Sequence, residues 1–192
     1  GIGKSISLAL AEKGANLFFT YREDDVSAEN LLSEINNFDG IAKAFKSDVR
    51  DINSIDESLK LCVKSFGGID ILVNNAGVLR DKSFAKVTLD DFEFVVDVHM
   101  MGSVYCTKAV WPIMVEQNYG RIIMTSSSSG IFGNFGQSNY GAAKMGVVGL
   151  MNTLKIEGMK YNIKVNSLVP VAATRMTENL GIAFNSTFVA LI

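Results

Sequence analysis

Tyr140 and Lys144 stand four residues apart in the run Tyr140-Gly141-Ala142-Ala143-Lys144, so on a helix the two side chains leave one face a single turn apart. An ammonium about 4 Å from a phenol, at an effective dielectric of ~20, favours the phenolate by roughly 4 kcal/mol. That is about three pKa units, which brings a tyrosine from ~10 toward neutrality and lets it serve as general acid or base at physiological pH. Ser127 lies thirteen residues before Tyr140, at the end of an apolar run, and can donate a hydrogen bond to a carbonyl oxygen at the same point. A Tyr and a Lys four apart occur by chance in many helices. Their coincidence with a strand-end serine and with the turn Asn74-Asn75-Ala76-Gly77 favours the chemical reading.

Three further groups suit a dinucleotide. Gly1-Ile2-Gly3 opens a helix-period segment, where free backbone N–H groups and the helix dipole favour phosphate and glycine lets the backbone approach a ligand; a plain turn is the alternative. Asn74, Ala76 and Gly77 follow a buried strand and would let a flat ring or ribose lie against the backbone, the alternative being an ordinary Asn- and Gly-rich turn. Asp48, with Val49, could bond an adenine amino group, the alternative being a solvated turn carboxylate.

To position these groups the chain must alternate strands and helices, and its hydrophobic pattern does so. Strands are expected at 16–21, 41–47, 69–73, 121–126 and 163–169, and helices at 26–37, 52–66, 89–116 and 138–160. An amphipathic stretch from Lys4 to Lys13 opens the chain, and Pro112 is expected to bend or end the third of those helices. Strands of ~5–6 residues separated by helices of ~12 or more indicate βαβ units and a parallel sheet. Right-handed crossovers make this a Rossmann-type doubly wound α/β fold, read as a single domain over residues 1–192.

Composition excludes other classes. Of the 192 residues 48% are hydrophobic and 20% charged, which is not the composition of a disordered chain. No apolar run approaches the ~18 residues of a membrane span. Eighteen basic against twenty acidic residues, a net charge of −2, leave no basic surplus for nucleic acid and no basic amphipathic stretch for a membrane surface. Cys62 and Cys106 form no disulfide framework and no metal-ligand spacing, so no metal is expected and a reducing compartment suits them.

Taken together, Gly1 and Gly3, the Asn74–Gly77 block, the Ser127/Tyr140/Lys144 set and Asn166-Ser167-Leu168-Val169-Pro170 resemble the short-chain dehydrogenase/reductase family over essentially the whole chain. The resemblance implies a nicotinamide-dependent oxidoreductase that forms a homodimer or homotetramer through its long helices. Tyr140 would be the acid/base, Lys144 would lower its pKa and hold the nicotinamide ribose, Ser127 would polarise the carbonyl, and Pro170 would lie beside the cofactor. Residues 79–84, 98–102, 133–137 and 173–177 resemble a narrower group. This is the (3R)-hydroxyacyl-CoA dehydrogenase unit of multifunctional enzyme type 2, with its bacterial single-domain relatives. The implied substrate is a 3-hydroxyacyl/3-oxoacyl thioester; the alternatives are a 3-oxoacyl carrier-protein reductase or other carbonyl reductase and, in another class, an inactive dinucleotide-binding fragment.

Three positions depart from the family pattern. His99 stands where Asn is usual, and the expectation is that it joins the proton relay through a water, the alternative being a helix histidine packed against Val95 and Val96. Tyr21 closes the second family strand in place of an acidic residue, and Arg22 after it could meet a 2′-phosphate, so NADP is favoured over NAD, the alternative being that Arg22 is a solvated loop charge. Val171 follows Pro170 where Gly is usual. The chain opens on Gly1 and stops on the apolar run 187–192, so the reading expects a truncated fold whose first strand and C-terminal strand are missing, unstable by itself. With no address visible, the cytoplasm is expected, with the peroxisome as the alternative.

Overall fold

The computed structural model describes residues 1–171 and 188–191, which divide into two compact units, Gly1–Gly68 and Ile69–Ile192. In the first, α1 (Ile2–Ala11), β1 (Leu17–Tyr21), α2 (Asp25–Ile35), β2 (Ala42–Lys46) and α3 (Ile52–Phe66) follow one another. β1 and β2 pair in parallel from Leu17↔Ala42 to Tyr21↔Lys46. The caps explain the helix boundaries: Asp24 accepts from the Ser27 N–H, Asp51 accepts from the N–H groups of Asn53 and Ser54, and Gly67 ends α3 in the left-handed region at φ 83°. Ala11, Leu31 and Ile35 form the buried centre, with Leu8, Leu17, Phe19, Phe38 and Ala42 packed against it.

The second unit contains β3 (Ile71–Asn74), α4 (Leu89–Val96), a π-helical turn (Asp97–Met101), α5 (Gly102–Gln117), β4 (Gly120–Thr125), α6 (Ser128–Phe132), α7 (Ser138–Gly158), a 3-10 turn (Met159–Tyr161), β5 (Ile163–Val171) and β6 (Phe188–Leu191). Its sheet order is β3-β4-β5-β6. The first three strands are parallel, while β6, a strand not assigned from sequence, is antiparallel to β5. β4 is the most enclosed strand, with Ile122 and Met124 wholly buried. Met114 of α5 and Val147 and Met151 of α7 are buried with them, the apolar spacing that made both segments helical in the sequence.

The parallel α/β arrangement of the Rossmann type is therefore present, and two details differ from expectation. Pro112 lies inside α5, which runs on to Gln117 and ends at Asn118 in the left-handed region. An interior proline costs about 3 kcal/mol, and the buried Val110 and Met114 on either side of it offset that loss by their packing. β3 begins two residues later than read, because the backbone of Ile69 bonds a side chain instead of a strand: its N–H donates to Gln117 Oε1 at 2.9 Å and its carbonyl accepts from Gln117 Nε2 at 3.0 Å.

Among the described residues no helix is long and apolar enough to cross a membrane, and no group of three potential metal ligands occurs.

Candidate active site

The end of β4 and the first turns of α7 bring the expected catalytic residues together. Ser127 caps α6, its Oγ accepting from the Ser129 N–H at 3.3 Å, and its hydroxyl also hydrogen-bonds the Tyr140 phenol. Lys144, one turn beyond Tyr140, is 4% exposed. Its Nζ donates to the Thr125 carbonyl at 2.5 Å and lies 5.6 Å from the centroid of the Tyr140 ring. Ser126 Oγ donates to the Lys144 carbonyl at 2.9 Å, which ties the strand end to the helix. An ammonium has three donors, so the Thr125 bond leaves Lys144 able to hold a diol.

The electrostatics correct one expectation. Burial pushes the Lys144 ammonium down to about 7, and burial also raises the Tyr140 phenol above its usual value, opposed by the Ser127 bond and reinforced by the Asp81 carboxylate. The groups acting on the phenol beside burial are Ser127 and Asp81. The sequence estimate took a charge at 4 Å in a polarisable medium; in the structure both groups lose solvent, which disfavours each charged form.

His99 sits in the π-helical turn and is 2% exposed. Its Nε2 lies 3.0 Å from the Val78 N–H nitrogen and 2.8 Å from the Val78 carbonyl, while Nδ1 is buried without a partner. Burial, with Lys144 acting in the same direction, pushes this imidazole down to about 3, so it is neutral at physiological pH. The ring stands edge-on to Tyr140.

Gly77 is closely approached by the His99 ring. A Cβ there would fall 2.5 Å from His99 Cε1, so the glycine makes room for the imidazole. Asn74 is also engaged, its Nδ2 donating to Thr107 Oγ1 at 3.1 Å. Pro170 lies in β5, its Cα opposite Val189, and residues 173–177 lie outside the described residues.

In the first unit, α1 follows its N-cap Gly1 with no capping side chain and no acidic residue in its first turn. Free N–H groups at a helix start, here on Ile2 and Gly3 among others, favour an anion. Arg22 and Asp48 lie just beyond the paired ends of β1 and β2. Arg22 Nε meets Glu23 Oε1 at 2.8 Å. Asp48, with Val49 after it, is bound by Arg50, whose Nη2 lies 2.6 Å from Asp48 Oδ2, and this guanidinium holds the carboxyl below its usual range.

Sequence reasoning missed a polar cluster beside Tyr140. Gln137 Nε2 donates to Asp81 Oδ2 at 2.7 Å, and Asn139 Nδ2 reaches the carbonyls of Arg80 and Asp91. The available signal was a pair of polar side chains at the N-cap and in the first turn of a helix, Gln137 and Asn139, next to Tyr140.

A strand-end serine and a helix carrying Tyr and Lys a turn apart are thus brought together on a parallel α/β scaffold. Residues 1–183 match the family model for short chain dehydrogenases, and the chain belongs to that family, whose chemistry requires a nicotinamide cofactor. It is 48% identical over 185 residues to the peroxisomal multifunctional enzyme type 2 of Drosophila melanogaster, covering 94% of this chain and 31% of that protein. The chain thus spans about a third of this curated relative. It is 40% identical to a 3-oxoacyl-[acyl-carrier-protein] reductase of Synechocystis, covering 94% of this chain and 73% of the relative. The solved structure of an NAD+-bound xylitol dehydrogenase superposes with a TM-score of 0.88 at 28% identity, over 94% of this chain and 71% of that one.

Proposed function

We propose that this chain interconverts a 3-hydroxyacyl and a 3-oxoacyl thioester with a nicotinamide dinucleotide, residues 1–192 acting as a single cofactor-binding and catalytic domain. The observation that carries the chemistry is the Tyr140 phenol bonded to Ser127, with buried Lys144 a turn away. In the reductive direction the Ser127 hydroxyl donates to the substrate carbonyl oxygen and Tyr140 gives that oxygen its proton. In the oxidative direction Tyr140 takes the hydroxyl proton. The bound nicotinamide supplies or accepts the hydride. The thioester is supported by the resemblance of residues 79–84, 98–102 and 133–137 to the hydroxyacyl-CoA dehydrogenase unit and by the likeness to the 3-oxoacyl-[acyl-carrier-protein] reductase of Synechocystis. The second of these also supports a carrier-protein reductase as the second reading.

In the first unit, Gly1, Ile2 and Gly3 would meet the pyrophosphate, Asp48 and Val49 the adenine, and Arg22 a 2′-phosphate. In the second, Asn74, Ala76, Gly77 and Pro170 would line the nicotinamide half and Lys144 would hold its ribose. NADP is favoured because β1 ends on Tyr21 rather than on a carboxylate, although a 2′-phosphate must draw Arg22 from Glu23. His99 is the relay residue in this reading: its unpartnered Nδ1 takes a water, and its neutrality means that it passes a proton through hydrogen bonds without storing a charge. A homodimer or homotetramer packed through the long helices is the expected assembly, checked by light scattering. The peroxisomal name of the Drosophila relative supports the peroxisome above the cytoplasm, and imaging of the tagged full-length protein decides it.

The reaction is tested by following nicotinamide absorbance with an acetoacetyl thioester of CoA and of carrier protein, each with NADH and NADPH. Loss of turnover in Tyr140→Phe is expected, and a fully active Tyr140→Phe, or wild-type protein inert with every pairing, overturns the reading.

A further inference from the structure

Residues 80–82 have no regular structure, yet three contacts fasten them to the four residues just ahead of Tyr140. The Lys82 N–H donates to the Gly136 carbonyl at 2.9 Å. Gln137 Nε2 donates to Asp81 Oδ2 at 2.7 Å, and Asn139 Nδ2 donates to the Arg80 carbonyl at 3.3 Å. Gln137 and Asn139 are 5% and 1% exposed, so their amides depend on these partners. Their orientations are also fixed. An ionised carboxylate only accepts, so Asp81 requires the NH2 end of Gln137, leaving Oε1 to accept from Asn134 Nδ2 at 3.1 Å. Asn139 turns its Oδ1 to the Tyr140 N–H at 2.8 Å, anchoring the first turn that carries the phenol.

The charge of Asp81 is the unusual element. The neighbouring cations turn away from it: Lys82 Nζ lies 2.9 Å and Arg80 Nε 3.7 Å from Asp91 carboxylate oxygens. Asp81 is left with a neutral partner, Gln137, and among the described residues it forms no ion pair. The groups facing Tyr140 are then Lys144 from its own helix, neutral His99 from the π-helical turn, Ser127 from the start of α6 and the Asp81 carboxylate from the 80–82 segment.

We propose that Asp81 and Gln137 are a positioning pair that fixes the start of the Tyr140 helix against the 80–82 segment and sets the pH range in which Tyr140 exchanges its proton. The inference rests on the proposed role of Tyr140. An uncompensated anion near a phenol makes the phenolate less favourable, and burial of Tyr140 acts in the same direction. Gln137 is what holds that anion in place.

The test uses the full-length protein and the pH profile of kcat/KM for the oxidative direction, in which the rise with pH follows loss of the Tyr140 proton. Asp81→Asn should move that rise to lower pH, Asp81→Glu should leave it near its wild-type position, and Gln137→Leu should lower kcat/KM at least about tenfold. If Asp81→Asn proves unfolded by circular dichroism, Asp81→Ser carries the same expectation. A folded Asp81→Asn or Asp81→Ser whose profile keeps the wild-type midpoint overturns the inference, even if its activity is lower at every pH, because a purely structural role gives that result. Tyr140→Phe is assayed alongside: if it is inactive while the Asp81 profiles do not move, only the inference fails, and if it is active the proposed reaction fails first.

Discussion

The imidazole of His99 meets the ring of Tyr140 edge to face, with centroids 5.0 Å apart and planes at 87°. The contact joins a residue of the π-helical turn to the proposed acid/base of α7, and Gly77 on its other side leaves room for the imidazole. A buried, neutral His wedged between a backbone and a phenol is a positioned group, and its neighbours can be perturbed one at a time.

Gly77→Ala places a methyl against His99 Cε1 at 2.5 Å. Overpacking of this kind typically costs about 1–3 kcal/mol. Chemical denaturation should show a loss on that scale, and the displaced imidazole should lower kcat in the same variant.

His99 also makes stability depend on pH. Its folded pKa, about 3, lies below its ordinary 6.5, so the unfolded chain binds the extra proton between those values. The contribution is present above ~6.5 and is lost as the pH falls toward 3, a span on the order of 4–5 kcal/mol at most. Denaturation midpoints should therefore fall through this window. His99→Gln, which has no proton to gain, should flatten the slope, and an unchanged slope rejects the assignment.

Lys144 acts in a higher window. With a folded pKa of about 7 against an ordinary 10.5, it opposes folding as the pH falls from 10.5 toward 7, because the unfolded chain takes up a proton that the fold resists. Lys144→Met should remove this dependence and raise stability near neutral pH. The same variant should lose about 10²-fold or more in turnover, separating the catalytic use of the ammonium from its cost to the fold.

Gln117→Leu removes both partners of the Ile69 backbone. An unsatisfied part-buried N–H or C=O costs about 1–3 kcal/mol. Hydrogen exchange at Ile69 should accelerate by at least tenfold, while amides in β1 and β2 keep their rates.

What could be read from sequence was whatever depends on spacing along one element. Ser127, Tyr140 and Lys144 follow from a strand end and a helical turn, and the parallel α/β order follows from the alternation of apolar runs. The Gly77–His99 approach was invisible because it joins residues on different elements through a wide turn that no local pattern announces. The Asp81–Gln137 bond, spanning 56 positions, was hidden for the same reason, and 79–84 and 133–137 registered only as marks of likeness. The protonation of Tyr140 was misjudged because a Coulomb estimate along one helix omits desolvation, which also brings Lys144 down toward neutrality.

The π-helical turn at Asp97–Met101 has a consequence for insertions and deletions. A wide turn accommodates one residue more than regular winding would, and each α-helical residue advances the chain by about 100°. Excising a single residue there would restore ordinary winding and leave Thr107, Val110 and Met114 on the buried side, whereas excising one from the regular turns of α5 would rotate everything beyond it by roughly that angle. Within the segment 89–117 the wide turn is therefore the place where the loss of one amino acid keeps the frame.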